Sequence, residues 1–198
     1  MSDTAGALGR AIARVGRPSS DFDLNPQVRL PEGRKLRAAA VLVGVTPGGT
    51  GPQVLLTKRS SRLRHHPGQI AFPGGKCDPG DPSHEAAALR EAHEEIGLPP
   101  AAVQVIGRLP RHETVTGFDV VPVVAWIDVD FTARPEAGEV DEVFRVPLSH
   151  LLCEDNYRVE ARLWGGQRRR YYAVPFGPYY IWGATARILR ALADRMAP

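Results

Sequence analysis

Apolar positions along the chain fall into short runs broken by glycine and proline, and their spacing alternates between a strand period and a helix period. Residues 38–45 are a continuous apolar, β-branched run, which predicts a buried strand. A turn holding Pro47, Gly48, Gly49 and Gly51 follows, and residues 53–58 return as a second run, so the pair predicts a hairpin. Residues 103–108 and 120–129 read as further strands, with 112–119 a loop between them. Pro122 inside the second run suits an edge or a bulge, because proline cannot donate to a ladder. A short strand is expected at 143–146 and a short helix from Ser149 near Leu151. Residues 157–163 and 170–174 flank Trp164-Gly165-Gly166-Gln167 and predict a second hairpin, with Arg168, Arg169 and Arg170 at its tip.

Three stretches carry a helical period. Residues 6–15 predict a short amphipathic surface helix, followed by an extended arm. Residues 181–196 predict a closing helix with a stripe of Ile181, Ala184, Ile188, Leu189 and Leu192. The third helix, of roughly four turns, starts at Asp81 as N-cap with Pro82 in the first helical position, and stops at Gly97 before Pro99-Pro100. Strands and helices together predict an α+β fold with a sheet between helices. At 198 residues the chain fits a single domain, with residues 1–37 as a helix and arm packed on a domain of residues 38–198.

The third helix sorts its side chains by chemistry. At about 100° per residue, Ala86, Leu89, Ala92 and Ile96 fall on one side, and Glu91, Glu94 and Glu95 on the other. No lysine is interleaved to relieve their repulsion, which costs a few tenths (~0.2–0.5) of a kcal/mol per pair. A carboxylate cluster of this kind suits a hard divalent cation with oxygen ligands, Mg2+ or Mn2+. A solvated acidic helix face is the competing reading. Against it, the glutamates sit late in the helix, where the macrodipole disfavours anions, and the preceding Gly74-Gly75 turn lets backbone approach a ligand closely.

Composition narrows the classes. Apolar residues make up 43% and charged residues 24%, the balance of a globular protein. The longest apolar run, residues 38–45, is too short to span a bilayer, and no signal-peptide core is evident, so no membrane partner is expected. The two cysteines, Cys77 and Cys153, make no disulfide framework, which suits a reducing cytoplasm. The net charge of +3 is carried almost wholly by arginine, the side chain suited to bidentate phosphate contacts; a GC-rich genome would give the same bias. Arg59, Arg62, Arg64, His65 and His66 share the loop at 59–68, which leads directly to the glycine turn. Aromatic residues are scarce in that loop, so base stacking on nucleic acid is not expected.

Two motifs carry a family resemblance. Gly75, Asp81, Arg90, Glu91, Glu94, Glu95, Gly97 and Leu98 resemble the Nudix box, with Asp81 where glutamate is usual, Ala92 at an apolar position and one extra residue before Arg90. Residues 55–75, Leu-Leu-Thr-Lys-Arg-Ser-Ser-Arg-Leu-Arg-His-His-Pro-Gly-Gln-Ile-Ala-Phe-Pro-Gly-Gly, resemble the signature of the Nudix subgroup that hydrolyses coenzyme A and its derivatives. That subgroup often carries the same extra residue, and residues 181–186 resemble its C-terminal piece.

The resemblance implies an α/β/α sandwich around a mixed sheet and a metal-dependent diphosphatase. It implies metal ligation by Glu91, Glu94 and Glu95 with a backbone carbonyl from the turn, assigned to Gly75. Arg90 is expected to orient Glu91 or the turn rather than touch substrate. The general base is a box glutamate or one from a later loop; Glu139 is the candidate, ahead of Glu142 and Glu113, with a helix cap or surface charge as its alternative role. Arg59, Arg62, Arg64, Phe72 and Gly74 form the candidate substrate-binding set. Three functions remain open at this point: coenzyme A diphosphatase, hydrolase of another nucleoside diphosphate derivative such as NADH, ADP-ribose or a nucleoside triphosphate, and a non-catalytic nucleotide- or RNA-binding module. The expected partner is a small coenzyme A-like dinucleotide; the oligomeric state, a homodimer included, is left open.

Overall fold

The computed structural model describes residues 3–28, 30, 33–128, 131–164 and 166–197. In chain order the elements are helix α1 (Asp3–Ala13), then strands β1 (Ser19–Ser20), β2 (Arg37–Thr46), β3 (Gln53–Arg59), β4 (Ile70–Ala71) and β5 (Gly74–Lys76), then helix α2 (His84–Ile96). Strands β6 (Val103–Arg108), β7 (His112–Glu113), β8 (Phe118–Ile127) and β9 (Val140–Pro147) follow, then helix α3 (Leu148–Leu152), the hairpin β10 (Arg158–Trp164) and β11 (Gln167–Ala173), and helix α4 (Gly183–Met196).

Strand β2 is the spine. It runs parallel to β8 from the pair Arg37–Phe118 to Val45–Trp126, and its first half pairs antiparallel with β5. The hairpin expected from the two apolar runs is only two pairs wide, Val45–Val54 and Thr46–Gln53. Beyond it β3 diverges, pairing with β9 on one side and β4 on the other. This divergence admits β4 and β5, and so the glycine turn, between β3 and β2. The sheet is mixed, as expected: β1–β7 and β2–β8 are parallel and the remaining pairs antiparallel.

Strand β8 corrects the expectation for Pro122. It is not an edge, since β2 lies on one side and β6 and β7 on the other. The Pro122 carbonyl accepts the Leu109 N–H at 2.9 Å, at the corner where β6 gives way to β7. N–H and C=O of one strand residue point the same way, so the missing donor falls at that corner, where no regular partner residue awaits it. The strand ends at Ile127; Val129, its expected end, lies outside the described residues.

Alternation along the strands builds two cores. Val54 and Leu56 join a cluster with Leu8, Leu151, Ile188, Leu189 and Leu192, beneath α1, α3 and α4. Leu55 joins the opposite cluster with Ala87, Ala88, Ala92 and Ile96 of α2. The sheet is therefore sandwiched between helix layers. The same alternation sends Lys58 and Arg59 to opposite faces at the end of β3, Arg59 towards α2. No helix among the described residues is long and apolar enough to cross a membrane.

Other boundaries shift for local reasons. Ser83, not Asp81, caps α2, its hydroxyl accepting the Ala86 N–H at 3.2 Å. Gly97 stops the helix as expected, in the left-handed region at φ 69°. The expected loop at 112–119 contains β7, and β9 is longer than its expected core of 143–146. Helix α4 begins at Gly183, with Ile181 buried just before it. Arg168, Arg169 and Arg170 lie within β11, opposite Leu163, Arg162 and Ala161, because the ladder closes at Trp164–Gln167. Gly165, at the tip, is outside the described residues.

Replacing the cap tests its assignment. Ser83→Ala should lower stability by about 1 kcal/mol, the usual cost of losing an N-cap acceptor, read as a lower urea midpoint with an unchanged slope.

Candidate functional site

The site is built where α2 crosses the glycine turn. Gly74 has φ 147°, and a Cβ there would sit 2.4 Å from the Ala40 carbonyl oxygen and 2.6 Å from the Val41 Cα, both backbone atoms of β2. Only glycine fits. At Gly75 a Cβ would lie 2.6 Å from Oε2 of Glu91. One helical turn on, Glu95 Oε2 accepts the Gly74 N–H at 3.1 Å. Two successive glycines thus receive two glutamates spaced i,i+4, and α2 rests there on backbone rather than on an apolar layer.

That contact corrects the expected sorting of the helix. Glu95 is only 5% exposed and shares the buried side with Ala92 and Ile96, whereas Glu94 projects to solvent. Burial pushes the Glu95 carboxyl up to about 7; the Gly74 N–H and Arg59 hold it down, and the charges of Glu91 and Glu139 add to the rise. Burial also raises Glu91, outweighing the hydrogen bond from Arg90.

Arg90 ties the polar parts together. Its Nη1 donates to Glu91 Oε1 at 3.0 Å and Glu94 Oε2 at 2.9 Å, and its Nη2 to the Lys76 carbonyl at 3.1 Å. Its Nε and Nη2 form a fork on the two oxygens of Asp81, at 3.1 and 2.9 Å. Asp81 also accepts the Asp78 N–H at 2.8 Å. The arginine's hydrogen bonds hold the Asp81 carboxyl below its usual range, and Asp81 in turn raises the guanidinium. Asp81 anchors Arg90 instead of capping the helix, a role hidden in the sequence because aspartate is also a strong cap residue.

The donors fit a hard divalent cation by their chemistry. Among the described residues no three His, Cys, Asp or Glu side chains are gathered into a ready ligand group, since Arg90 holds Glu91 and Glu94 while Glu95 turns to Gly74. The charge of Glu91 nevertheless acts against the buried Glu95 carboxyl, a repulsion that a cation relieves. The backbone oxygen expected from Gly75 is better placed on Gly74. Gly75 stands opposite Ala40, between the bonded pairs Leu42–Pro73 and Ala38–Cys77, so ladder spacing turns its carbonyl to β2. Gly74 faces α2.

The remaining sequence candidates separate. Arg59 is half-buried and its charge acts on Glu95. Arg62 and Arg64 are exposed, with no side-chain partner among the described residues. Phe72 is 4% exposed within the α4-side core, so its ring is not on the wall of the site. Glu139 is exposed in the turn before β9, not at a helix start; its carbonyl accepts the Ser60 N–H at 2.8 Å and its charge acts on Glu91 and Glu95. Glu142 accepts the Tyr179 hydroxyl, and Glu113 pairs with Arg34 on β7 near the far edge of the sheet. Cys77 is half-buried beside the α2-side core, and burial raises its thiol.

Known proteins resemble this chain over most of its length. A family model described as the NUDIX domain matches residues 35–164. The uncharacterized Nudix hydrolase NudL of Enterobacter is 46% identical over 157 residues, covering 79% of this chain and 81% of the relative. NudL of Escherichia coli is 44% identical over 170 residues, covering 86% and 88%. Among solved structures, a Nudix hydrolase from M. smegmatis, RenU, aligns at TM-score 0.50 and 28% identity over 58% of this chain and 72% of its own. The NUDIX domain of Shewanella oneidensis NrtR, complexed with ADP ribose, aligns at TM-score 0.53 and 16% identity over 88% and 95%, a likeness of fold alone.

The seat of Glu91 on Gly75 predicts a specific rescue. Gly75→Ala should lower the melting temperature, because its Cβ meets the Glu91 carboxylate at 2.6 Å. Adding Glu91→Ala should return most of the loss, a non-additive pair. Equal melting of wild type and Gly75→Ala in a thermal scan would contradict the packing.

Proposed function

The chain belongs to the Nudix hydrolase family, whose members act on pyrophosphate bonds, and on that premise we propose that it hydrolyses the diphosphate of coenzyme A or its derivatives. The products are 4′-phosphopantetheine, or its acyl form, and 3′,5′-ADP. The coarser activity, hydrolysis of a nucleoside diphosphate derivative, follows from family membership. The coenzyme A reading rests on the resemblance of residues 55–75 to the coenzyme A subgroup signature, and one observation supports it: the loop bearing Arg59, Arg62 and Arg64 runs straight into β4 and β5, with Arg62 and Arg64 exposed and unpaired among the described residues.

Nudix enzymes use divalent metal ions; a bound Mg2+ or Mn2+ neutralises diphosphate oxygens and lowers the pKa of a water. Glu91, Glu94 and Glu95, with the Gly74 carbonyl, are the residues that would hold it. Arg90 positions Glu91 and Glu94 and takes no part in the bond change. Glu139, whose charge already acts on Glu91 and Glu95, accepts the proton of the attacking water. The new bond forms between water oxygen and phosphorus, the bond from phosphorus to the bridging oxygen breaks, and the second phosphate ester leaves as an anion. Both cysteines are free, which supports a reducing, cytoplasmic setting.

Coenzyme A differs from its 3′-dephospho form by one phosphate, and a charged contact to it is worth about 1.5–3 kcal/mol. The kcat/KM for coenzyme A should exceed that for 3′-dephospho-coenzyme A by at least about tenfold, and Arg62→Ala or Arg64→Ala should remove the preference. Equal values in the wild type would replace this reading with a general dinucleotide diphosphatase.

A further inference from the structure

On the sheet face opposite α2, the β10–β11 hairpin, the segment before α4 and residues 66–70 border an open cavity of about 610 Å³, a size that suits a small ligand. Trp164 and Trp182 stack there with ring centres 5.6 Å apart and planes 22° apart, and Tyr171 meets Trp182 edge-on at 5.1 Å. Trp164 is still 42% exposed and Tyr180 41%. The rings are fixed by one another, and the Tyr180 hydroxyl by Glu160 at 2.6 Å, yet one aromatic surface stays open to the cavity.

The polar lining completes a pattern. Lys58 and Arg162 line the cavity; the Lys58 charge acts on Asp141, while the Arg162 side chain makes no hydrogen bond or ion pair among the described residues. Its one carboxylate, Glu142, is engaged by the Tyr179 hydroxyl. An open aromatic face beside an unpaired arginine suits the planar ring of an anionic nucleotide.

We propose that this cavity is the subsite for the purine nucleoside end of the substrate, its base stacked on Trp164 beside Arg162. The proposal rests on the reading of the chain as a hydrolase of a nucleoside diphosphate derivative and says where that substrate's base lies. The two sites share a loop. His66 borders the cavity close enough to Arg59 for that charge to help burial hold its imidazole down, and Arg59 in turn acts on Glu95.

The test is calorimetric titration of the full chain, in chelator, with adenosine 3′,5′-bisphosphate, which has no diphosphate bond to cleave. Trp164→Ala should weaken its binding by at least about tenfold, as expected for losing one base–aromatic stack. Trp164→Phe should stay near wild type, Arg162→Ala should also weaken binding, and binding of 4′-phosphopantetheine should be unchanged in all three. Circular dichroism and melting establish that each variant is folded. The proposal is overturned if wild type does not bind the bisphosphate, if Trp164→Ala binds it normally, or if the loss appears with 4′-phosphopantetheine instead. Trp164-dependent bisphosphate binding without coenzyme A cleavage would keep the subsite and sink the coenzyme A reading. Cleavage with Trp164-independent binding would do the reverse.

Discussion

The rest of the structure depends on a helix resting on two glycines. Gly74 has no room for a side chain because β2 backbone lies against it, and a side chain at Gly75 would displace the Glu91 carboxylate. Elsewhere α2 packs on an apolar layer through Ala88, Ala92 and Ile96. Over the turn it meets amide groups, and this lets a helix bury a carboxylate, Glu95, without leaving it bare. The divergence of β3 from β2 makes the opening, β5 fills it, and the acidic helix closes it.

A second constraint follows. Carboxylates this close need positive charge, and in the protein alone Arg90 supplies it, bridging Glu91 and Glu94 while Asp81 and the Lys76 carbonyl hold its other side. The extra residue before Arg90 leaves this bridge intact, because the loop at 78–83 folds Asp81 back to meet it. Arg59 adds charge from the neighbouring strand end. The site is thus pre-organised on regular elements, and the arginine loop runs from it to the aromatic cavity, which His66, Pro67 and Gly68 help to line.

Much of this was legible in the sequence. The strands at 38–45 and 53–58, the stop at Gly97, the glutamates of α2 and the closing helix follow from periodicity and turn chemistry. What escaped depended on partners far along the chain. Glu95 belonged to the acidic face on a helical wheel, but the wheel cannot know that the layer beneath is glycine backbone. Asp81 looked like a cap because its partner, Arg90, competes from nine residues away. Pro122 implied an edge or a bulge until β6 and β7 supplied a corner that needs no donor. Phe72 sits in a motif, yet the α4-side core claims its ring. The aromatic cavity joins residues 58–70 to 162–182, and only the clustering of Tyr171, Tyr172, Tyr179, Tyr180 and Trp182 hinted at it.

The account's central claim is that the carboxylate buried on the glycine turn is needed to break a diphosphate. The most direct measurement is turnover of coenzyme A by wild type and Glu95→Gln at saturating Mg2+, with products identified by mass. The account predicts 4′-phosphopantetheine and 3′,5′-ADP from the wild type, and a loss on the order of a thousandfold in a folded Glu95→Gln protein. A variant keeping more than about a tenth of wild-type turnover, far short of what removing a metal-binding charge costs, would contradict it.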